Sequence, residues 1–299
     1  MNGKTDYPWP ALDGLRPEWT GSGFIVGGRL VGVLSYSGGQ SGWSDNLTNM
    51  HETWAGADHP IDQMSRGWAT SALRRHLTAS QSVLLEIGCS SGFLLRALQA
   101  EWPSVMVMGS DFLKESLERL AAQEPRIPLL QFDLVQCPLP DASIDAVVML
   151  NVLEHIADDR AAMRQVARVL KPGGIAVVEV PAGPRLYDAY DEYLQHQRRY
   201  TSRTLASLFK SEGLDVVERS HLGFAVYPAF AMVKHRNQKR AALDPDAKRR
   251  IVEANITSTR GSAILRGLLQ GEAWLGRYLS FPCGIRCVAV ARKPENAQI

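Results

Sequence analysis

Cysteine is scarce in this chain. Cys89, Cys137, Cys283 and Cys287 are the four in 299 residues, and their spacing fits neither a disulfide framework nor a zinc site. All four are expected to be reduced. Charge excess is also absent: 33 basic and 31 acidic side chains leave a net +2. That balance recommends neither nucleic acid nor an anionic membrane as partner. Long hydrophobic runs are missing too. The most apolar tract, residues 223–233, is too short to span a bilayer, and Met1 to Trp9 lacks the apolar core of a signal peptide. No internal repeat is visible. The expectation is a cytoplasmic protein without a transmembrane segment. At 45% apolar residues and this length, it is one large domain or a domain with an appendage.

Against that background one stretch stands out. Val83-Leu84-Leu85-Glu86-Ile87 reads as a buried strand, Gly88-Cys89-Ser90-Ser91-Gly92 as a tight loop, and Phe93 to Ala100 as a helix with an apolar face. Strand, glycine loop and helix together present backbone N–H groups to a ligand. The spacing Gly88-x-x-x-Gly92 is not the Gly-x-Gly-x-x-Gly of dinucleotide sites, and no Lys-Ser/Thr pair follows as in a P-loop. Glu86, a carboxylate at the end of an apolar strand, is costly to bury unless something binds it. It would repel phosphate and suit a cationic or amino-bearing ligand.

Strand and helix signals then alternate, which predicts a parallel sheet. Strands are expected at Val105–Gly109, Leu129–Phe132, Ile144–Leu150, Ile175–Val180, Leu214–Arg219 and Ile285–Arg292. Helices are expected at Leu113–Gln123, Asp158–Leu170 and from Thr201 to Glu212, with Lys171-Pro172-Gly173-Gly174 as a stop. Upstream, Gly27-Gly28 signals a hairpin between Phe24-Ile25-Val26 and Leu30–Leu34. Gly38 to Gly42 reads as a loop, and Ser44–Trp54 as a short helix carrying His51 and Glu52. A helix to Leu77 follows, with Asp62 as its N-cap and Met64, Trp68, Leu73 and Leu77 as its buried stripe.

Glu86-x-Gly88-x-Ser90-x-Gly92 resembles motif I of class I S-adenosyl-L-methionine (SAM) methyltransferases, with Ser90 in place of the middle glycine. Asp111, Asp133, the Pro-x-Pro-Asp turn ending at Asp141, Asn151-Val152-Leu153-Glu154-His155-Ile156 and Leu170-Lys171-Pro172-Gly173-Gly174 resemble the family's later motifs. Asp191-x4-His196-x-Arg198-Arg199-Tyr200-Thr201 is similar to a segment of one bacterial group of small-molecule and cell-envelope-precursor methyltransferases. The resemblance is strong over residues 80–220 and weak over 1–60 and 221–282.

The resemblance implies an α/β, Rossmann-like class I fold: a mostly parallel sheet with an antiparallel last strand, an N-terminal extension and a helical cap. Four segments follow: 1–78 covering the active site, 79–220 as SAM-binding core, 221–282 as a helical cap insertion, and 283–299 as final strand and tail. It further implies that Gly88, Cys89, Ser90 and Gly92 contact the methionine part of SAM, with Glu86 near its amino group. Asp111 would take the ribose hydroxyls, Phe112 would lie against adenine, Asp133 and Leu134 would bind the adenine edge, and Asn151 would sit at the same strand-end site. S-adenosylhomocysteine would be the product. For Asp111 and Asp133, capping the following helix is the competing role.

His155 and His196 are the candidate catalytic bases, because histidine titrates near neutrality. A purely structural role competes for both. Tyr187, Tyr190 and Tyr193 line a pocket or pack. Arg198 and Arg199 clamp an anionic group or pair with Asp188, Asp191 or Glu192. Asn151, Glu154 and His155 make a weak set for a hard cation, so no metal is expected. Residues 221–282 read as a cap over a small-molecule substrate. Contact of their basic runs, Lys234–Arg240 and Lys248–Arg250, with a membrane surface is the rival, and a solvated face is the plain alternative. A homodimer is compatible with the sequence. The expected activity is methyl transfer to a small organic molecule, oxygen favoured. The alternatives are cyclase-like chemistry on bound SAM, transfer to carbon or nitrogen, and a lipid-linked or macromolecular acceptor.

Overall fold

A computed structural model describes residues 7–36, 58–78, 83–238, 248–250, 252–254 and 262–295. The loop at 38–42 and the helix expected at 44–54 lie outside those residues. Near the N-terminus, β1 (Glu18–Trp19), β2 (Phe24–Val26) and β3 (Arg29–Val31) form a small antiparallel sheet, with Gly27-Gly28 turning the hairpin. Next comes β4 (Val33–Ser35), then helix α1 (Pro60–His76). The glycine loop joins β5 (Val83–Ile87) to α2 (Phe93–Glu101). Alternation continues through β6 (Met106–Asp111), α3 (Lys114–Gln123), β7 (Leu129–Gln131), β8 (Ile144–Leu150), α4 (Asp159–Val169) and β9 (Leu170–Pro181). A short α5 (Ala189–Tyr193) and α6 (Ser202–Ser211) precede β10 (Asp215–Leu222). Helices α7 (Tyr227–Gln238) and α8 (Ala263–Leu275) then lead to β11 (Arg286–Arg292).

Eight strands make the main sheet in the order β10-β11-β9-β8-β5-β6-β7-β4. The pairs from β9 through β4 are parallel; β11 alone runs against both its neighbours, β9 and β10. This is the Rossmann-like class I arrangement. The chain winds one way from β5 through β6 to β7, then returns to the other side of β5 with β8. That reversal opens a crevice at the strands' carboxyl ends, where open α/β sheets bind ligands. Leu84, Leu85, Val147, Val148 and Val177 fill the two faces of the central strands and are almost fully buried. No helix among the described residues is long and apolar enough to cross a membrane.

Several expectations change in detail. Asp62 is not the cap of α1: His59 holds the N-cap position and Pro60 the first turn, where its missing N–H costs nothing. Helix α4 ends at Val169, just ahead of Lys171 to Gly174 as expected, but those four residues already belong to β9, which begins at Leu170 opposite Ile144. The stretch Leu30–Leu34 is split, because Val33–Ser35 leaves the hairpin and pairs with Leu129–Gln131 as the edge of the main sheet. None of residues 7–36 lines the crevice at the strands' carboxyl ends. Tyr7 bonds Ser143, just before β8 begins, at 3.0 Å, and Trp9 and Phe24 meet edge to face at 4.8 Å beneath it. Among the described residues of 1–78, α1 and the residue before it reach the crevice, through His59, Ile61, Asp62, Ser65 and Arg66.

Candidate active site

The glycine loop is built by steric need. Gly88 has φ +75°, and a Cβ there would lie 2.5 Å from Cγ2 of Val152. Gly92, at φ +73°, would bring a Cβ within 2.6 Å of Leu120. Ser90 keeps the left-handed region at φ +49°, in the position where motif I carries its middle glycine. The next strand braces this shape. Gly88 and Cys89 donate their N–H groups to the Ser110 carbonyl at 2.8 and 3.0 Å. The Asp111 carboxylate accepts from the N–H of Ser90 and from that of Leu113, each at 3.0 Å. Asp111 is therefore not a side-chain cap of α3, whose N-cap is Leu113. It latches the loop from the end of β6.

A cavity of about 1060 Å³ opens over this loop. Nine of the ten sequence-predicted SAM contacts line it, namely Glu86, Gly88, Cys89, Ser90, Asp111, Phe112, Asp133, Leu134 and Asn151, whereas Gly92, the N-cap of α2, does not. Glu86 is buried, and its Oε2 has no hydrogen-bond partner among the described residues. Burial pushes its carboxyl well above the usual range, the Asp111 charge adds to this, and Arg66 opposes it. A ligand ammonium would supply both the missing donor and the missing charge, so the orphaned oxygen fits the amino group of SAM. Asp133 does act as a cap, accepting from the Val135 N–H at 3.0 Å in the short turn 134–136, while still lining the cavity. Asn151 sits at φ +55° and donates its Nδ2 to Glu179 at 3.1 Å. Such a strained corner persists only when its surroundings hold it.

The opposite wall carries the titratable cluster. His196 is nearly buried, and its Nδ1 lies 2.8 Å from Oδ1 of fully buried Asp191. Asp191 also receives Arg199 at 2.8 Å and Lys234 at 2.9 Å, and Lys234 reaches Asp188 at 2.6 Å. Burial works to raise the Asp191 carboxyl, but the His196 hydrogen bond and the charges of Lys234 and Arg199 outweigh it and hold it below the usual range. Burial lowers the His196 imidazole despite the pull of Asp191. The ring is thus neutral at neutral pH. With Nδ1–H given to Asp191, the basic lone pair resides on Nε2. His155 meets it edge to face, ring centres 4.8 Å apart.

Glu154, Asn151 and His155 were the candidate set for a cation. The structure turns Asn151 to Glu179, and instead brings atoms of Glu154, His155 and His196 within 4.8 Å of one another. Glu154 is fully buried, and neither of its carboxylate oxygens has a hydrogen-bond partner among the described residues. Burial pushes its carboxyl up to about 8. The charges of Arg286 and Arg199 pull the other way, and that of Glu179 adds to the rise. A consequence can be measured. The folded form holds a proton on Glu154 that the unfolded chain releases near pH 4.5, so this group subtracts stability as pH rises from there towards 8. Glu154→Gln removes that slope, of roughly 1.4 kcal/mol per pH unit. Chemical denaturation at pH 6 and pH 8 is expected to show wild type losing more stability than the variant between them. Equal losses would mean that Glu154 is ionised in the folded protein.

Other polar expectations divide. Arg199 pairs with Asp191, whereas Arg198 pairs with Asp159 at 2.8 Å rather than with any of the three acids considered for it. Tyr190 lines the cavity, while Tyr187 donates to the His196 carbonyl at 2.7 Å. Lys234 was grouped with a solvated basic run but is buried among carboxylates. The i, i+4 spacing from Phe230 to Lys234 was a usable signal, since both residues line the cavity. Arg286, which binds Asp62 at 2.8 Å and pairs with Glu179, was missed. Nothing local marks it, because its partners come from α1 and β9. Phe230 of α7 and Leu265 of α8 border the cavity; Trp274 does not, being 57% exposed.

Residues 85–178 match the family described as "Methyltransferase domain". Among known proteins, a probable S-adenosylmethionine-dependent methyltransferase of Mycolicibacterium smegmatis is 31% identical over 143 residues, 47% of this chain and 54% of that one. The 27-O-demethylrifamycin SV methyltransferase of Amycolatopsis mediterranei is 31% identical over 159 residues, 47% of this chain and 55% of that one. The chain thus spans about half the length of the curated relatives it matches. Among solved structures, phosphoethanolamine N-methyltransferase 2 of Haemonchus contortus superposes with TM-score 0.53 at 19% identity, over 84% of this chain and 57% of that one. The fold is that of the class I methyltransferases, and residues 85–178 of this chain match the methyltransferase-domain family.

Proposed function

We propose that the protein is a SAM-dependent methyltransferase that methylates a small organic acceptor, at oxygen in preference to nitrogen or carbon. The observation that carries the reading is a single cavity with two unlike walls. One wall is the braced glycine loop with Glu86, Asp111 and Asp133 at strand ends; the other holds a neutral imidazole oriented by a buried carboxylate. SAM supplies a methyl group already activated by its sulfonium. In this reading Glu86 receives the ligand ammonium, Asp111 the ribose hydroxyls, and Asp133, Leu134 and Phe112 the adenine. His196 accepts the proton of an acceptor hydroxyl, with His155 next in line. Alignment and exclusion of water account for the remaining acceleration. Helix α1 and the helices of 221–282 serve as walls of the acceptor pocket, with Phe230 against the acceptor. The four free cysteines suit a cytoplasmic, reducing setting. The name of the rifamycin relative marks a complex natural product, which supports a small-molecule acceptor.

The test is incubation with methyl-labelled SAM and a panel of hydroxylated metabolites. Stoichiometric release of S-adenosylhomocysteine with labelled product is expected. Product formed without consumption of SAM would replace methyl transfer by chemistry that uses SAM only as a bound cation.

A further inference from the structure

We propose that the acceptor half of the cavity takes an uncharged hydroxylated molecule with a bulky apolar body, and that Glu154 binds its hydroxyl. The inference rests on the reading that SAM occupies the other half. Among the described residues four cations line the cavity: Arg66, Arg199, Lys234 and Arg286. Arg66 belongs to the cofactor end, 5.5 Å from the ring centre of Phe93 and with its charge acting on Glu86. Carboxylates hold the other three. Lys234 lies 2.6 Å from Asp188 and 2.9 Å from Asp191, and Arg199 lies 2.8 Å from Asp191. Arg286 lies 2.8 Å from Asp62 and pairs with Glu179 as well. The Phe230 ring also stands over Arg199 and Lys234, its centre 5.7 and 5.6 Å away. A phosphate or carboxylate on the acceptor would compete with these acids for their cations. Displacing any of them leaves a buried charge unpaired.

Glu154 is the acid left over. It lines the cavity, is fully buried, and neither carboxylate oxygen has a hydrogen-bond partner among the described residues. Burial pushes its carboxyl up to about 8, so at neutral pH it offers one O–H donor and one carbonyl acceptor. A hydroxyl, itself donor and acceptor, complements it. Glu86 differs, because Asp111 stands beside it and adds negative charge that a ligand ammonium answers. Beside Glu154 stand Arg286 and Arg199 as well as Glu179. One atom each of Glu154, His155 and His196 lies within 4.8 Å of the others. A hydroxyl oxygen among them can stand about 2.8 Å from all three. There it donates to Nε2 of His196 and accepts from Glu154. The remaining lining sets the body of the acceptor. Ile61, Ile156, Leu194, Val226, Phe230 and Leu265 present apolar surface. SAM fills less than half of the cavity's 1060 Å³. The rest is within the range of whole ligand pockets, about 300–1,000 Å³.

Fluorescence titration of the full chain at pH 7, with S-adenosylhomocysteine bound, tests the inference. Four probes share one body: 2-naphthol, 2-naphthyl phosphate, 2-(aminomethyl)naphthalene and naphthalene. 2-Naphthol is expected to bind about tenfold or more tighter than either charged analogue. It is expected to exceed phenol, with its smaller apolar surface, by about tenfold or more as well. Glu154→Leu is expected to weaken 2-naphthol about tenfold and to leave naphthalene unchanged. Glu154→Gln keeps a neutral donor and acceptor, and is expected to stay within about threefold of wild type. Circular dichroism and S-adenosylhomocysteine affinity verify that both variants are folded, and the charge series needs no variant. Tighter binding of the phosphate or the ammonium overturns the proposal. So does indifference of 2-naphthol to Glu154→Leu, or a loss that naphthalene shares. Stoichiometric zinc binding that Glu154→Leu abolishes also overturns it, and assigns the cluster to a metal ion. A chain that does not bind S-adenosylhomocysteine fails the methyltransferase reading and this inference with it. One that binds it and prefers a charged probe fails this inference alone.

Discussion

His196→Ala is expected to lower turnover about a hundredfold or more while leaving SAM affinity intact. The expectation rests on the geometry around the ring. Asp191 holds Nδ1 at 2.8 Å and is itself pinned by Arg199 and Lys234, so the imidazole is fixed in one tautomer. Burial lowers its affinity for protons, which keeps it in the basic form at neutral pH. The acid limb of the wild-type turnover profile is accordingly expected below the ordinary histidine range of about 6.5. The deficit of the variant narrows as pH rises and the acceptor hydroxyl ionises unaided. A structural role would look different. His196→Asn keeps an N–H donor for Asp191 but has no basic nitrogen. If the Asn variant retains wild-type turnover and pH profile, His196 only braces the segment between β9 and α6, and His155 becomes the candidate base. If neither histidine matters, the acceptor is already ionised, a neutral amine or an activated carbon.

Asp111→Ala is expected to weaken SAM binding by a few kcal/mol, about the value of two hydrogen bonds to a charged group. The structure adds a second reason for a loss. The same carboxylate latches Ser90 and Leu113, so its removal also loosens the glycine loop. The two contributions can be separated by calorimetry with S-adenosylhomocysteine and its 2′,3′-dideoxy analogue. If Asp111 holds the ribose, wild type discriminates strongly between them and the variant does not. Discrimination retained by the variant would reduce Asp111 to a brace. Unchanged SAM affinity in a folded variant would remove it from the site altogether.

Much of this site is legible in the chain because its parts are local. A buried strand, a glycine loop and a helix are written in consecutive residues from Val83 to Glu101, and the acids at 111 and 133 sit at or just after strand ends. The parallel sheet follows from the alternation of strands and helices, and the antiparallel last strand from the family pattern. What the sequence left open concerns charged residues whose partners are remote. Lys234 reads as part of a solvated basic run, yet it lies between Asp188 and Asp191, more than forty residues earlier. Arg286 pairs with Asp62 and Glu179 across 224 and 107 positions. Asp111 reads as a ligand of the ribose with helix capping as the lesser role, and is found bracing Ser90, 21 residues upstream. Val33–Ser35 reads as half a hairpin and becomes a sheet edge, because Leu129–Gln131 offers it an unpaired strand. Apolar periodicity reports burial because burying an apolar side chain is favourable against almost any neighbour. A charge, or the edge of a strand, is buried only against a particular partner, and the fold alone decides which partner arrives.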